Sequence, residues 1–326
     1  MWLLNLPLVP QLAEASGYVS CETSISPAVT APMEHTSSAV MGSPFFTLSS
    51  ACWVVTILSV QVIQFHIETS RRNEKVVNCL YPNPNAIFRL ICFPWAGSGS
   101  TYFAKWGQKI HGSLEVHSIR LAGRENRSDE QVPSDMYQVA DEIACALLPV
   151  LQDKPFAFFG HSLGSYIAFM TALRLKENHK LEPVHFFVSS TSAPHSKFRP
   201  RIPEGKEMTE EEICNLLVSA GFTTKNFVDE ELFQLHVPIL LADLYMANAY
   251  FFDTPSEAVL SCDLSCFIGS EDQAVKDLEA WKDVTSGSFY MHKLPGGHFY
   301  VMEPTNETFI MNYITKCLEL STLSCF

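Results

Sequence analysis

Phe156-Ala157-Phe158-Phe159 is an apolar run that stops at Gly160-His161-Ser162-Leu163-Gly164, and a second pattern follows at once: Tyr166, Ile167, Phe169, Met170 and Leu173. Apolar residues at i, i+1, i+3, i+4 and i+7 repeat with the period of a helix. The stretch therefore reads as buried strand, sharp Gly-x-Ser-x-Gly turn, helix. Such a turn is a nucleophile elbow, which lifts one serine hydroxyl clear of a sheet and sets it at a helix N-terminus. Gly160 and Gly164 are expected where a Cβ would strike a neighbouring strand or helix. The five-residue pattern alone is weak, since a Ser/Gly turn in any α/β protein can match it. The flanking elements make it specific.

The rest of the chain supports that reading. From about residue 76, predicted strands alternate with predicted helices. Strands are expected at Phe88–Phe93, Glu115–Arg120, Phe156–Phe159, Pro183–Ser190, Asp263–Gly269 and Phe289–Leu294. Helices are expected at Tyr102–Ile110, Met136–Leu151, after the elbow, and at Pro304–Leu320. Apolar strands separated by helices imply an α/β fold, with a mostly parallel sheet covered on both faces. Residues 200–258 break the alternation. Thr209-Glu210-Glu211-Glu212-Ile213 reads as a capped helix start, and helical pieces continue from Leu232 to Tyr250 without a strand. Helices inserted between two strands would lie at the C-terminal edge of the sheet, over the serine, as a lid. Plain helical padding is the alternative.

Composition narrows the class. Lys+Arg 22 against Asp+Glu 35 gives a net charge of −13 over 326 residues, which argues against nucleic acid as a partner. The ten cysteines include no CxxC pair, and Cys92 and Cys145 sit inside apolar runs. That is the pattern of buried free thiols in a reducing compartment, with neither zinc nor a disulfide framework indicated. Residues 1 to about 43 are rich in Pro, Ser, Thr and Ala. Residues 45–65 carry no charge and are followed by Arg71, Arg72 and Lys75, yet Thr47, Ser49, Ser50, Thr56, Ser59, Gln61 and Gln64 leave them weakly apolar for a membrane span. The expectation is a poorly ordered extension over 1–70, a single catalytic domain over 71–326, and a cytosolic protein. A membrane tether through 45–65 is the disfavoured rival.

A serine hydroxyl needs a base to take its proton, and the base needs a carboxylate to fix its tautomer. On this kind of sheet the chain order is serine, acid, histidine, each after a strand. Among eleven histidines, His298 in Pro295-Gly296-Gly297-His298-Phe299 follows the last predicted strand on a glycine-rich loop. His292, on that strand, is its weaker rival. His161 is expected to shape the elbow, and His35, His66, His111, His179 and His236 to serve ordinary surface or core roles. Asp272 in Gly269-Ser270-Glu271-Asp272 is the candidate acid. Glu271 and Asp277 are its rivals, with Asp277 expected on a solvent-facing helix, and Asp263 lies on a strand. Attack on a carbonyl builds a negative oxygen that backbone N–H groups must receive. The Leu163 amide is one candidate donor. The loop Pro94-Trp95-Ala96-Gly97-Ser98-Gly99 offers a second, from Trp95 or Ala96.

Five motifs now stand in order: Phe93-Pro94-Trp95-Ala96-Gly97, Leu121-Ala122-Gly123-Arg124-Glu125, Gly160-His161-Ser162-Leu163-Gly164, Gly269-Ser270-Glu271-Asp272 and Pro295-Gly296-Gly297-His298-Phe299. As a set, from about Asn73 to the C-terminus, the chain resembles the type II thioesterases. Ala122 replaces a usual proline, Ser98 replaces a frequent glycine, and the N-terminal extension has no counterpart in that family. The resemblance implies an α/β-hydrolase fold and carries over Ser162 as nucleophile, Asp272 as orienting acid, His298 as base, and the amides of Ala96 and Leu163 as oxyanion donors. It implies hydrolysis of an acyl thioester on the phosphopantetheine arm of an acyl carrier domain of fatty acid synthase, with release of a free, medium-chain acid. No cofactor or metal is required. Apolar residues of the insertion, Ile213, Leu217, Phe222 and Leu240 among them, are candidates for an acyl groove. Arg120, Arg124 and Arg127 are candidates for a basic patch that docks an acidic carrier. The rivals are a carboxylesterase or lipase, an acyl-CoA thioesterase, and a non-catalytic binding protein on the same fold. Free cysteines disfavour a lipase, and an intact set of Ser, Asp and His disfavours a mere binder.

Overall fold

Residues 73–199, 209–219, 222, 236–250 and 252–323 are described by a computed structural model. The expected extension over 1–70, its apolar segment, and the parts of the insertion at 200–208, 220–221, 223–235 and 251 lie outside these residues. Seven strands form one sheet: β1 (Val77–Asn78), β2 (Phe88–Phe93), β3 (Leu114–Ile119), β4 (Phe156–His161), β5 (His185–Ser189), β6 (Asp263–Gly269) and β7 (Phe289–Leu294). Their order across the sheet is β1-β3-β2-β4-β5-β6-β7. Only β1 runs antiparallel to its neighbour, and all other pairs are parallel.

Alternation of side chains explains why these strands need cover on both sides. In β2, Ile91 and Phe93 point to one face while Phe88, Leu90 and Cys92 point to the other. β4 divides in the same way, with Phe156 and Phe158 against Ala157 and Phe159. The first face is covered by α2 (Met136–Leu151) and α3 (Leu163–His179), through Ile143, Leu147, Ile167 and Phe169. The second is covered by α1 (Thr101–Ala104) and α6 (Pro304–Leu323), through Phe103, Ile310, Ile314 and Leu318. Truncating one of these buried phenylalanines to alanine costs about 3–5 kcal/mol in such a core.

Two expectations change. The helix predicted over Tyr102–Ile110 is a single α-turn, α1, followed by a tighter 3-10 helix at Lys105–Gln108. Tyr81 packs close to Gly107, where a Cβ would come within 3.2 Å of the tyrosine Cβ. The two-residue β1 was not anticipated, because two residues carry no periodicity. The capped start of the insertion is present: Thr209 N–H donates to Glu212 Oε2 (2.9 Å) and Glu212 N–H donates back to Thr209 Oγ1 (3.2 Å). It opens α4 (Glu210–Ser219), and α5 (Val237–Ala249) follows before β6.

Chain order places the site. β2 connects to β3 on one side, while β4 lies on the other side of β2. The carboxyl ends of β2 and β4 therefore flank a topological switch point, where parallel sheets open a crevice. The loop carrying Ala96 and the turn carrying Ser162 both emerge there. No helix of the described residues is long and apolar enough to cross a membrane. The seven described cysteines, Cys79, Cys92, Cys145, Cys214, Cys262, Cys266 and Cys317, are free thiols.

Candidate active site

β4 ends at His161 and α3 begins at Leu163, so Ser162 alone makes the turn. Its backbone takes φ 54° and ψ −123°, a conformation that a residue with a Cβ adopts only under constraint. The constraints are visible. Ser162 N–H donates to the Ser189 carbonyl (2.7 Å) and Ser165 N–H to the Ser162 carbonyl (3.0 Å). Ser165 Oγ–H donates to the Gly160 carbonyl (2.7 Å). A Cβ at Gly160 would collide with the Ser165 backbone, and one at Gly164 with the Phe93 carbonyl. The second close approach brings the start of α3, with the Leu163 amide, beside the loop that leaves β2.

The acid and the histidine arrive from the other half of the sheet. β6 and β7 are parallel neighbours, so the loops after them lie side by side. They are stitched together by Ser270 N–H to the Leu294 carbonyl (2.7 Å) and Glu271 N–H to the Gly296 carbonyl (2.9 Å). Asp272 Oδ1 accepts from the Ala274 amide (3.1 Å), which leaves Oδ2 for His298 Nδ1 at 2.9 Å. His298 Nε2 lies 3.1 Å from Ser162 Oγ. The Asp272 side chain has no exposed surface and the His298 side chain only 2 %. Water therefore competes little for these bonds.

The rivals are occupied elsewhere. Glu271 is exposed. Asp277 lies in a half-buried loop, not on the solvent-facing helix expected, because its Oδ2 accepts from Ser196 Oγ (2.8 Å). Asp263 accepts from the Ser288 amide (2.8 Å) at the start of β6, the wrong end of the strand. The His292 ring packs between Phe267 and Tyr313. His161 does shape the elbow: it is fully buried, with Nδ1 2.8 Å from Ser189 Oγ, which in turn meets Tyr300 Oη at 2.7 Å. Burial first, and the nearby His298 second, hold its pKa well below the usual imidazole range. The ring is thus a neutral wedge, 5.3 Å from the His298 ring and 5.6 Å from that of Trp95.

The loop after β2 forms a tight turn, closed by Ser98 N–H to the Trp95 carbonyl (3.2 Å) with Gly97 at φ 75°. The insertion reaches this region from above. The Phe222 ring stands edge-on to the His298 ring at 4.7 Å. A Cβ at Gly97 would lie 3.1 Å from Leu240 Cβ in α5.

The three arginines are not a docking patch. Arg120, Arg124 and Arg127 are only 8 %, 5 % and 3 % exposed. Arg120 pairs with Glu125, Arg127 with Glu130 and Glu142, and Arg124 with Asp243. Each guanidinium answers a carboxylate inside the fold and has little left to offer a partner. Asp243 was not anticipated, although a signal existed: it is the one formal charge in the otherwise uncharged run Val237–Ala249, and a charge in such a run demands a partner.

Cys79, Glu115 and His117 bring three potential ligand atoms within 4.8 Å of one another at the β1–β3 edge. Glu115 Oε2 already accepts from His117 Nε2 (2.9 Å) and from Arg89 Nε (3.2 Å), and burial pushes the Cys79 thiol up to about 11. With a guanidinium on the oxygen that a cation would have to share, the cluster is an internally balanced ion pair.

A serine, an imidazole and a buried carboxylate in one hydrogen-bonded line, at the switch point of a parallel sheet, are what nucleophilic acyl transfer requires. The fold is that of the α/β-hydrolases. Within that class the chain belongs to the thioesterase domain family, whose profile matches residues 88–317. It is 59 % identical to the rat S-acyl fatty acid synthase thioesterase, medium chain, over 78 % of this chain and 97 % of that protein. The human protein of the same name is 58 % identical, over 78 % of this chain and 96 % of its own length. The crystal structure of human thioesterase 2 superposes with a TM-score of 0.60 at 51 % identity, covering 74 % of this chain and all of that one. The type II thioesterase BorB of the borrelidin biosynthetic cluster gives 0.64 at 27 % identity, covering 74 % of this chain and 96 % of BorB.

Proposed function

We propose that the chain hydrolyses the thioester of a medium-chain acyl group carried on the phosphopantetheine arm of a fatty acid synthase carrier domain. The observation that carries this is the line Asp272–His298–Ser162, at 2.9 and 3.1 Å, in a chain of the thioesterase family. Relatives at 58–59 % identity are named for this activity.

In the first half-reaction Ser162 Oγ attacks the thioester carbon while His298 Nε2 takes its proton. The carbonyl oxygen becomes an oxyanion, received by the amides of Leu163 and Ala96. Collapse breaks the carbon–sulfur bond, and the imidazolium returns its proton to the departing thiolate. Asp272 keeps Nδ1 protonated throughout and balances the transient charge on the ring. In the second half-reaction water attacks the acyl carbon and loses a proton to the same Nε2; collapse breaks the bond to Ser162 Oγ, which takes that proton back, and the carboxylic acid is freed. The buried apolar residues Ile213 and Leu217 and the ring of Phe222 over His298 support an insertion that covers the acyl chain at the reacting carbon. Free thiols at all the described cysteines support a reducing compartment, and the cytosol is the location proposed.

The test is turnover of carrier-bound, CoA-bound and simple oxygen-ester acyl groups over a series of chain lengths. The expected result is the highest kcat/KM on the carrier-bound thioester at medium length. Equal or better turnover of CoA thioesters would move the assignment to an acyl-CoA thioesterase, and preference for oxygen esters would move it to an esterase.

A further inference from the structure

Asp243 lies in α5 with no exposed surface, and its carboxylate is fully engaged. Arg124 approaches as a fork, Nη1 donating to Oδ2 (2.7 Å) and Nη2 to Oδ1 (2.8 Å). Oδ2 also accepts the Gly97 N–H at 2.8 Å. Arg124 Nη1 donates in addition to the Ser98 carbonyl (3.2 Å). One buried ion pair thus grips the Trp95–Ser98 turn at its third and fourth residues.

The form of that turn matters. Gly97 stands at the third position with φ 75°, the value of a type II turn. Types I and II differ by turning over the central peptide, here the one between Ala96 and Gly97. Its N–H is the group Asp243 holds, so the carboxylate selects one of the two forms. The far end of α5 is also fixed. Arg199 donates to the carbonyls of Ala247 and Tyr250, the latter at 2.7 Å, and its guanidinium lies 4.5 Å over the ring of Tyr166 in α3. The helix is therefore a strut between the β2 loop and the elbow helix.

We propose that Asp243, held by Arg124, is a positioning residue of the reaction: by holding the Gly97 N–H, with Arg124 on the Ser98 carbonyl, it anchors the Trp95–Ser98 turn and so fixes the place of the adjoining Trp95–Ala96 peptide, whose N–H is the oxyanion donor. This rests on the proposed reaction at Ser162, with Ala96 as one of its oxyanion donors. The insertion then helps to complete the oxyanion site, because α5 holds the turn that carries one of its donors.

Asp243→Ala and Asp243→Asn test it, with kcat and KM on a carrier-bound medium-chain thioester. Two affinities accompany them: one for a medium-chain alkyl trifluoromethyl ketone, which Ser162 converts to a tetrahedral oxyanion, and one for the free fatty acid. Removing a whole donor costs about a hundredfold to a thousandfold, so misaiming one should cost about ten- to a hundredfold in kcat. The same factor is expected in ketone affinity, with KM and free-acid affinity within about threefold of wild type, since ground-state binding does not use the oxyanion site. Asp243→Asn keeps the volume but sets an amide N–H against a guanidinium N–H, and is expected to fall between alanine and wild type. If the alanine variant does not fold, the same readouts on the asparagine variant decide. Wild-type kcat and ketone affinity in a folded variant overturn the proposal. So does an equal loss of ketone and free-acid affinity, which marks a general structural defect. An active Ser162→Ala protein would instead overturn the underlying reading.

Discussion

Replacing Ser162 with alanine is expected to lower kcat on a carrier-bound acyl thioester by at least about 10⁵-fold, because a residue that acts in one unit with its base removes nearly all that the unit does. The substitution deletes one oxygen. The backbone bonds that hold the elbow, from the Ser162 amide to Ser189 and from Ser165 to the Ser162 carbonyl, do not depend on it. The fold and the affinity for free fatty acid should therefore stay as they are. A residual rate above that in water is expected, since oxyanion donors and bound substrate remain. Activity within about tenfold of wild type would mean that another group attacks the thioester.

Asp272→Asn is expected to cost about 10⁴-fold in kcat with little change in KM. Asparagine fits the space, but its amide nitrogen would face Nδ1 of His298 at the position now held by Oδ2. The ring then settles with its proton on Nε2, pointing at Ser162 Oγ, and can no longer take the serine proton. Asp277→Asn is the control. Asp277 lies near in sequence but accepts from Ser196, and its replacement should leave kcat within about twofold. Comparable losses in the two variants would contradict the assignment of the acid. The measurement is steady-state hydrolysis of the same thioester by both proteins.

The elements that formed the site were legible because their signals are local. A strand, a Gly-x-Ser-x-Gly turn and a helical stripe lie within about twenty residues, and the chain delivered the turn with Ser162 at φ 54°. Asp272 and His298 were legible by a topological rule, since each follows a strand in the required order, and β6 and β7 prove to be adjacent. The failures were of another kind. Arg124 looks like free charge in the sequence because its partner, Asp243, lies 119 residues away in an insertion without a strand to give it a register. The local pattern at Asp277 suggests a solvent-facing helix, whereas Ser196, 81 residues away, fixes its place. Ion pairs between distant segments leave no periodicity, and what marks them is the cost of burying either charge alone.

The central claim is that one activated hydroxyl, at Ser162, carries the acyl group. Treatment with an alkyl fluorophosphonate, followed by peptide mapping by mass spectrometry and assay of the same sample on a carrier-bound thioester, tests it most directly. The expected result is one adduct per chain, on the peptide containing Ser162, accumulating in step with loss of turnover and absent from the His298→Ala protein. Inactivation with the adduct on another residue, or full turnover by a chain whose Ser162 is blocked, would contradict it.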